Sequence, residues 1–151
     1  MGPMLAAVSP LLPDGDVLWF STSFHDTPVT ITGNSVQGGG TPMSAQAEEK
    51  FRVPVAVLTD AMTGSSGEAT MLAFRGLENS RSFGGPTAGY ASANITVEMP
   101  DGARILLTTA HNKARTGEVF GENPIEPDMV TVSAERAARD WIRQQGCGEP
   151  D

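Results

Sequence analysis

The segment Thr63-Gly-Ser-Ser-Gly-Glu68 holds the residue types of this chain best suited to chemistry. A serine on a sharp turn between a buried strand and a helix has an exposed hydroxyl and neighbouring amides aimed outward. That arrangement serves both nucleophilic attack and binding of the oxyanion that follows. Gly64 and Gly67 would let a substrate backbone approach closely, and a helix N-terminus favours a developing negative charge. The same residues carry a plainer reading. Ser65 and Glu68 satisfy the Ser-x-x-Glu capping box, in which the hydroxyl merely caps the helix and the carboxylate returns to the backbone. Capping boxes are far commoner than nucleophiles, so the turn alone leaves both readings open.

The elements around the turn have the right character. Val53-Pro-Val-Ala-Val-Leu-Thr-Asp60 is a continuous apolar run, as expected of a central strand buried on both faces. Ala69 to Leu77 carries helix formers with Leu72, Ala73 and Gly76 on one face. Upstream, Pro3 suits a first helical position, and Met4 to Val8 form a short helix that Pro10 and Pro13 end. Val17 to Ser21 and Val29 to Thr32 read as strands, and Gly33 to Lys50 as a long polar loop. Downstream, Ser82 and Phe83 lead into a turn over Gly84 to Gly89. Ile95 to Met99 and Ala103 to Thr109 flank Pro100-Asp101-Gly102, a hairpin signature. A last helix over 133–146 is capped by Ser133, carries Ala134, Ala137, Ala138, Trp141 and Ile142 on one stripe, and ends at Gly146. No internal repeat is evident.

A chain of 151 residues fits one domain, 1–151. Its 17 Gly and 11 Pro favour turns and short elements over a helical bundle. The formal net charge of -8 argues against a nucleic-acid partner, which needs clustered Lys and Arg. The single cysteine, Cys147, excludes an internal disulfide and a Cys-based metal site. No stretch approaches a membrane span, and the opening MGPMLAAVSPLLPDGD lacks a basic region, so it reads as a helix rather than a signal peptide. Localisation is left unspecified, since a targeting signal would lie upstream.

His25 and His111 are the only histidines, and either could act as base if it approached Ser65. The plainer reading is a surface or hydrogen-bonded structural histidine for each, and two isolated histidines make no zinc site. No metal and no cofactor is expected. Gly38-Gly-Gly40 lacks the Lys-Ser/Thr of a phosphate loop and reads as a connector. Asp14, Asp16, Glu48 and Glu49 read as solvated loop acids, and Trp19 and Trp141 as packing residues.

Several motifs agree in order and spacing with one known family. Val55-Ala-Val-Leu-Thr-Asp60, Thr63 to Glu68, Arg81-Ser-Phe-Gly-Gly85, Gly102 to Thr109 and Ile125-Glu-Pro-Asp128 together resemble the tail-specific (C-terminal processing) serine peptidases, over roughly Gly2 to Val132. The resemblance implies that Ser65 is the nucleophile and that the amide of Ser66 helps bind the oxyanion. Many members place a lysine just after a Phe-Gly dipeptide. Here Gly85 follows Phe83-Gly84, so the branch similar to tricorn core and nisin-resistance peptidases is implied, in which an upstream histidine is the base. In that branch an acidic residue near the Pro-Asp motif belongs to the catalytic group, and Glu122 is the match.

The expected fold is an α/β domain with the crotonase and Clp-protease-like core, a mixed sheet flanked by short helices. The resemblance further implies that the chain is the C-terminal portion of a catalytic domain, with the glycine-rich oxyanion loop and the histidine before Met1. The partners it implies are a peptide or protein substrate and that N-terminal half; the oligomeric state is left open. Two rivals stand beside a peptidase: a noncatalytic peptide-binding or scaffold module in which Ser65 only caps a helix, and a crotonase-like acyl-CoA enzyme.

Overall fold

The computed structural model describes residues 1–47 and 49–147; Glu48, one of the loop acids, lies outside them. Helix α1 (Gly2–Val8) has Pro3 in its first turn and passes into a 3-10 turn over Ser9–Leu11. The strands are β1 (Gly15–Ser21), β2 (Asp26–Thr32), β3 (Ser35–Gln37), β4 (Met43–Ser44), β5 (Val55–Thr59), β6 (Ser80–Gly84), β7 (Ser92–Glu98), β8 (Arg104–Ala114), β9 (Val119–Phe120) and β10 (Met129–Val130). Helix α2 (Ser66–Phe74) follows β5, and α3 (Ala134–Gln144) follows β10.

Parallel and antiparallel pairing are kept apart in two sheets. The larger runs β4-β3-β2-β1-β8-β7, with β9 also on β8, and its pairs are antiparallel. The smaller runs β10-β6-β5 and is parallel. The expected mixture of strands is present, divided between the two. Its parallel half is built as such sheets must be, with α2 forming the crossover from β5 to β6.

Helix α2 lies at the centre of the molecule. Ala69, Ala73 and Phe74 pack into a cluster with Leu5, Leu12, Val17, Leu18, Val29 and Ile31, while Met71 and Leu72 pack with Ala91, Ala114 and Ile125. A helix buried on several sides holds its N-terminal turn in a fixed place, and each large aliphatic side chain so buried contributes roughly 1.5–3 kcal/mol. The helix begins at Ser66 and ends at Phe74, earlier at both ends than its apolar pattern suggests, because the turn before it is tight and Gly76 takes a φ of +80° after it.

Two expectations are corrected. The run Val53 to Asp60 is not a central strand: β5 is an edge of the small sheet, with β6 in the middle. Its residues are apolar on both faces because Val55 and Val57 meet the main core while α3 packs on β5 and β6. Toward its end Leu58 is half exposed. Nor is Gly33 to Lys50 wholly loop. It contains β3 and β4, which extend the large sheet through backbone pairing around one buried apolar side chain, Val36.

The hairpin forms as expected, closed by Met99 N–H to Ala103 carbonyl at 2.8 Å. It stands away from the core, and Ile95, Leu106 and Leu107 are exposed on it. The last helix also forms, with Ala138 buried and Trp141 tilted against Phe83 at 5.8 Å, but Ser133 at its N-cap makes no capping hydrogen bond. Cys147 is a free, exposed thiol.

Candidate active site

The turn between β5 and α2 is assembled by local hydrogen bonds. Asp60 Oδ1 accepts from Met62 N–H at 2.9 Å, and the Asp60 carbonyl accepts from Thr63 N–H at 2.9 Å. Thr63 Oγ1 accepts from Asp60 N–H at 3.1 Å. This closed loop sends the chain sharply into α2. Ser65 takes the corner at φ +52° and ψ −112°, and among the described residues it is the only non-glycine at positive φ. A side chain held there is strained by the order of 1–3 kcal/mol, which surrounding structure must offset.

Glu68 supplies the offset. Its carboxylate is fully buried, and Oε2 accepts from Ser65 N–H at 2.7 Å and from Tyr90 N–H at 2.8 Å. Oε1 accepts from Gly89 N–H at 2.8 Å and from the Thr87 hydroxyl. Thr87 Oγ1 in turn accepts from Ile125 N–H at 2.8 Å. One acid thus ties the Ser65 turn to the 87–90 loop and, through Thr87, to the segment after β9. The Glu68 arm of the expected capping box is therefore formed. On the other arm the Ser65 hydroxyl lies near the Glu68 amide yet makes no capping hydrogen bond. Ser65 itself is exposed.

The glycines of the turn serve the chain itself. A Cβ on Gly64 would lie 3.2 Å from that of Ala88 and 3.5 Å from the Tyr90 ring, so Gly64 admits the 87–90 loop. A Cβ on Gly67 would meet only ordinary contact, 3.6 Å from the Thr63 methyl. At Gly84 the need is strict: φ is +134° and a Cβ would fall 2.0 Å from the Thr59 carbonyl oxygen. At Gly85 it would meet nothing within 4 Å.

Ser65 and Ser66 line a cleft of about 310 Å³ with Phe20, Asn94 and Asn112. On the other side they border a larger apolar groove of about 670 Å³ with Met4, Val57 and Met62. As first residue of α2, Ser66 precedes the first intrahelical bond, from Ala69 N–H to the Ser65 carbonyl at 3.0 Å. Its amide belongs to the helix-end donors without a partner in the helix, where the helix dipole favours an anion.

The other sequence candidates lie elsewhere. His25 and His111 come together on a separate cleft of about 540 Å³ with Ser21 and Phe24. The strand register explains why. Phe20 pairs with Asn112 and the adjacent Ser21 pairs with His111, and adjacent pairs point to opposite faces of a sheet. Asn112 and Phe20 therefore line the Ser65 side, the histidine the other. The His111 ring fills the space that a Cβ on Gly121 would need. Glu122 is exposed and lines neither cleft that contains Ser65, although its carbonyl lies against Gly89. Asp128 of the Pro-Asp motif holds the fold together: its Oδ2 accepts from Ser82 N–H and Ser82 Oγ, each at 2.7 Å, and pins β10 beside β6.

Shifted ionisations fall on Glu118, Asp26 and Arg115, none of which lines a cleft with Ser65. Hydrogen bonds from Arg75 and Thr116 hold Glu118 below the usual carboxylate range. The Lys113 ammonium, and then Ser21, do the same for Asp26. Burial lowers Arg115, which donates to the Ala73 carbonyl at 3.1 Å near the end of α2. Among the described residues no group of three or more His, Cys, Asp or Glu could hold a metal, and no helix is long and apolar enough to cross a membrane.

Sequence reasoning does not single out Thr87 or Asn112. Thr87 lies in a turn marked only by its glycines, and Asn112 in a polar strand end whose pairing partner is far away in sequence. The spacing from Ser65 shows Glu68 as a cap but not as a hub.

Comparison with known proteins gives the family. Residues 10–131 match the model of peptidase family S41. A nisin-resistance protein of Lactococcus lactis subsp. lactis is 40% identical over 147 residues, covering 96% of this chain and 46% of its own. Among solved structures, a lipoprotein from Streptococcus agalactiae superposes with a TM-score of 0.80 at 30% identity, covering 95% of this chain and 49% of that one. The photosystem II D1 C-terminal processing protease shares the fold at a TM-score of 0.65 and 21% identity, over 87% of this chain and 31% of its own. The chain thus spans about half the length of the first two relatives. With the family model matching most of its residues, this chain belongs to peptidase family S41.

Proposed function

We propose that the chain carries the nucleophile of a serine peptidase, and that Ser65 attacks a peptide carbonyl to form an acyl-enzyme. The observation that carries this reading is the Ser65 corner: a strained, exposed serine at a helix N-terminus, braced by a buried acid. Attack by Ser65 Oγ would pass its proton to a base and place the carbonyl oxygen at the Ser66 amide. The base would return that proton to the leaving amine, and water would then release the acyl group.

The base is proposed to come from a longer form of the chain, since His25 and His111 line a different cleft. The relatives' greater length supports this reading, as does the implied upstream histidine. Glu122 is proposed as acidic support within that complete site, and the crotonase and Clp-like core as the fold that frames it. The lipoprotein relative supports an exported parent. The noncatalytic peptide-binding reading draws on the same separation of both histidines from Ser65.

Labelling with a fluorophosphonate probe, read by intact mass, tests the proposal. One adduct is expected on the longer form that carries the upstream base, and none on its Ser65→Ala variant. Equal labelling of the two would overturn the assignment of Ser65; no labelling of either would favour the noncatalytic reading for this chain.

A further inference from the structure

Asn112 stands in β8 with 2% of its surface exposed, and its side-chain Oδ1 is buried with no hydrogen-bond partner. Its backbone lies within the sheet: the N–H donates to the Ala91 carbonyl at 2.9 Å, and the residue is in register with Phe20 on β1 and Phe120 on β9. The unpaired atom is therefore a side-chain matter. A buried carbonyl without a donor is destabilising, and an apolar residue of similar shape would fill the place at no such cost. Asn112 is one of the residues lining the cleft that holds Ser65 and Ser66, and a rotation of its carboxamide about χ2 would turn the buried Oδ1 toward a donor on a ligand there.

We infer that Asn112 is a substrate-positioning residue whose Oδ1 accepts a backbone N–H of a peptide bound in the Ser65 cleft. The inference rests on reading that cleft as a peptide site. A main-chain N–H fits for two reasons. The acceptor is neutral and lies beside Phe20, so it does not call for a charged ligand. A carboxamide also matches a peptide unit in its donors and acceptors. Such a contact is blind to side-chain identity but demands a secondary amide. Proline or an N-methylated residue is therefore rejected at one subsite, whatever surrounds it.

The test uses the full chain carrying Ser65→Ala, which cannot turn a peptide over. A fluorescein-labelled random decapeptide mixture selects a binder, and anisotropy then compares that peptide with each of its single N-methyl analogues. One analogue is expected to bind roughly ten- to a hundredfold more weakly, as for loss of a hydrogen bond to a buried acceptor. Adding Asn112→Leu, which keeps the volume, should shrink that penalty to about twofold or less. Asn112→Asp, which still accepts, should restore it.

An N-methyl profile that is the same with Asn112 and with leucine would overturn the inference, as would failure of any peptide to bind. So would an Asn112→Leu chain that changes only its denaturation midpoint, since the amide would then serve the fold. The two readings fail separately. Loss of fluorophosphonate labelling with a retained Asn112-dependent profile sinks the peptidase and leaves the backbone contact; labelling without that profile does the reverse.

Discussion

The Ser65 turn and the β7–β8 hairpin treat their side chains in opposite ways. At the turn a charged residue is driven fully inside and held by hydrogen bonds: Glu68 accepts from three backbone amides and a hydroxyl. On the hairpin, apolar residues are left outside. Ile95 pairs with Leu107 and Val97 with Ile105 in register, and all four are exposed, as is Leu106. The buried acid of the turn is fully bonded by groups of this chain. The hairpin has ordinary backbone pairing and an unsatisfied surface, and β7 is also the edge of its sheet. Buried hydrogen bonds thus converge on the turn that carries Ser65.

That contrast can be broken most decisively at Glu68. Replacing it with alanine orphans the amides of Ser65, Gly89 and Tyr90 together, and a loss of about 3–5 kcal/mol in a urea unfolding experiment is expected. A loss below about 1 kcal/mol would mean that water or neighbouring groups replace the acid, and the turn would not be the braced element described.

A smaller effect of opposite sign is expected at the corner itself. Ser65→Gly relieves the positive φ, although it adds freedom to the unfolded chain. A net gain of about 1 kcal/mol is expected, together with loss of the serine's chemistry. A variant less stable than wild type would show that Ser65 contributes more as a cap than it costs in strain.

The smallest change belongs to the hairpin. Leu106→Thr should alter stability by less than about 0.5 kcal/mol in the same urea unfolding experiment, because this residue is 75% exposed. A loss comparable to that of Glu68→Ala would erase the distinction between the two regions.

Much of the fold is legible from local chemistry. The Pro100-Asp101-Gly102 turn locates the hairpin, and the alanine stripe after Ser133 locates α3, because each signal depends on neighbours in sequence. The centrality expected of β5 fails because an apolar run reports that both faces are covered, not which strands lie beside it. Strands β3 and β4 are hidden because their pairing rests on backbone groups around a single buried Val36. At the site, Ser65 and Glu68 are legible as a spacing of three residues. The hub function of Glu68 is not, since its partners at Thr87, Gly89 and Tyr90 are brought to it by tertiary packing alone.

The pairing of Phe20 with Asn112 also sets an order of events during synthesis. The cleft beside Ser65 has one wall on β1 and another on β8, and the brace behind Ser65 needs the 87–90 loop, itself tied to Ile125. When the serine turn leaves the ribosome, none of those later residues has yet emerged. Contacts so distant along the chain form slowly, after the local elements. The growing polypeptide therefore presents an ordinary, relaxed serine, and the hydroxyl acquires its fixed aim only in the last stage of closure, once nearly the whole chain is present to fold around it.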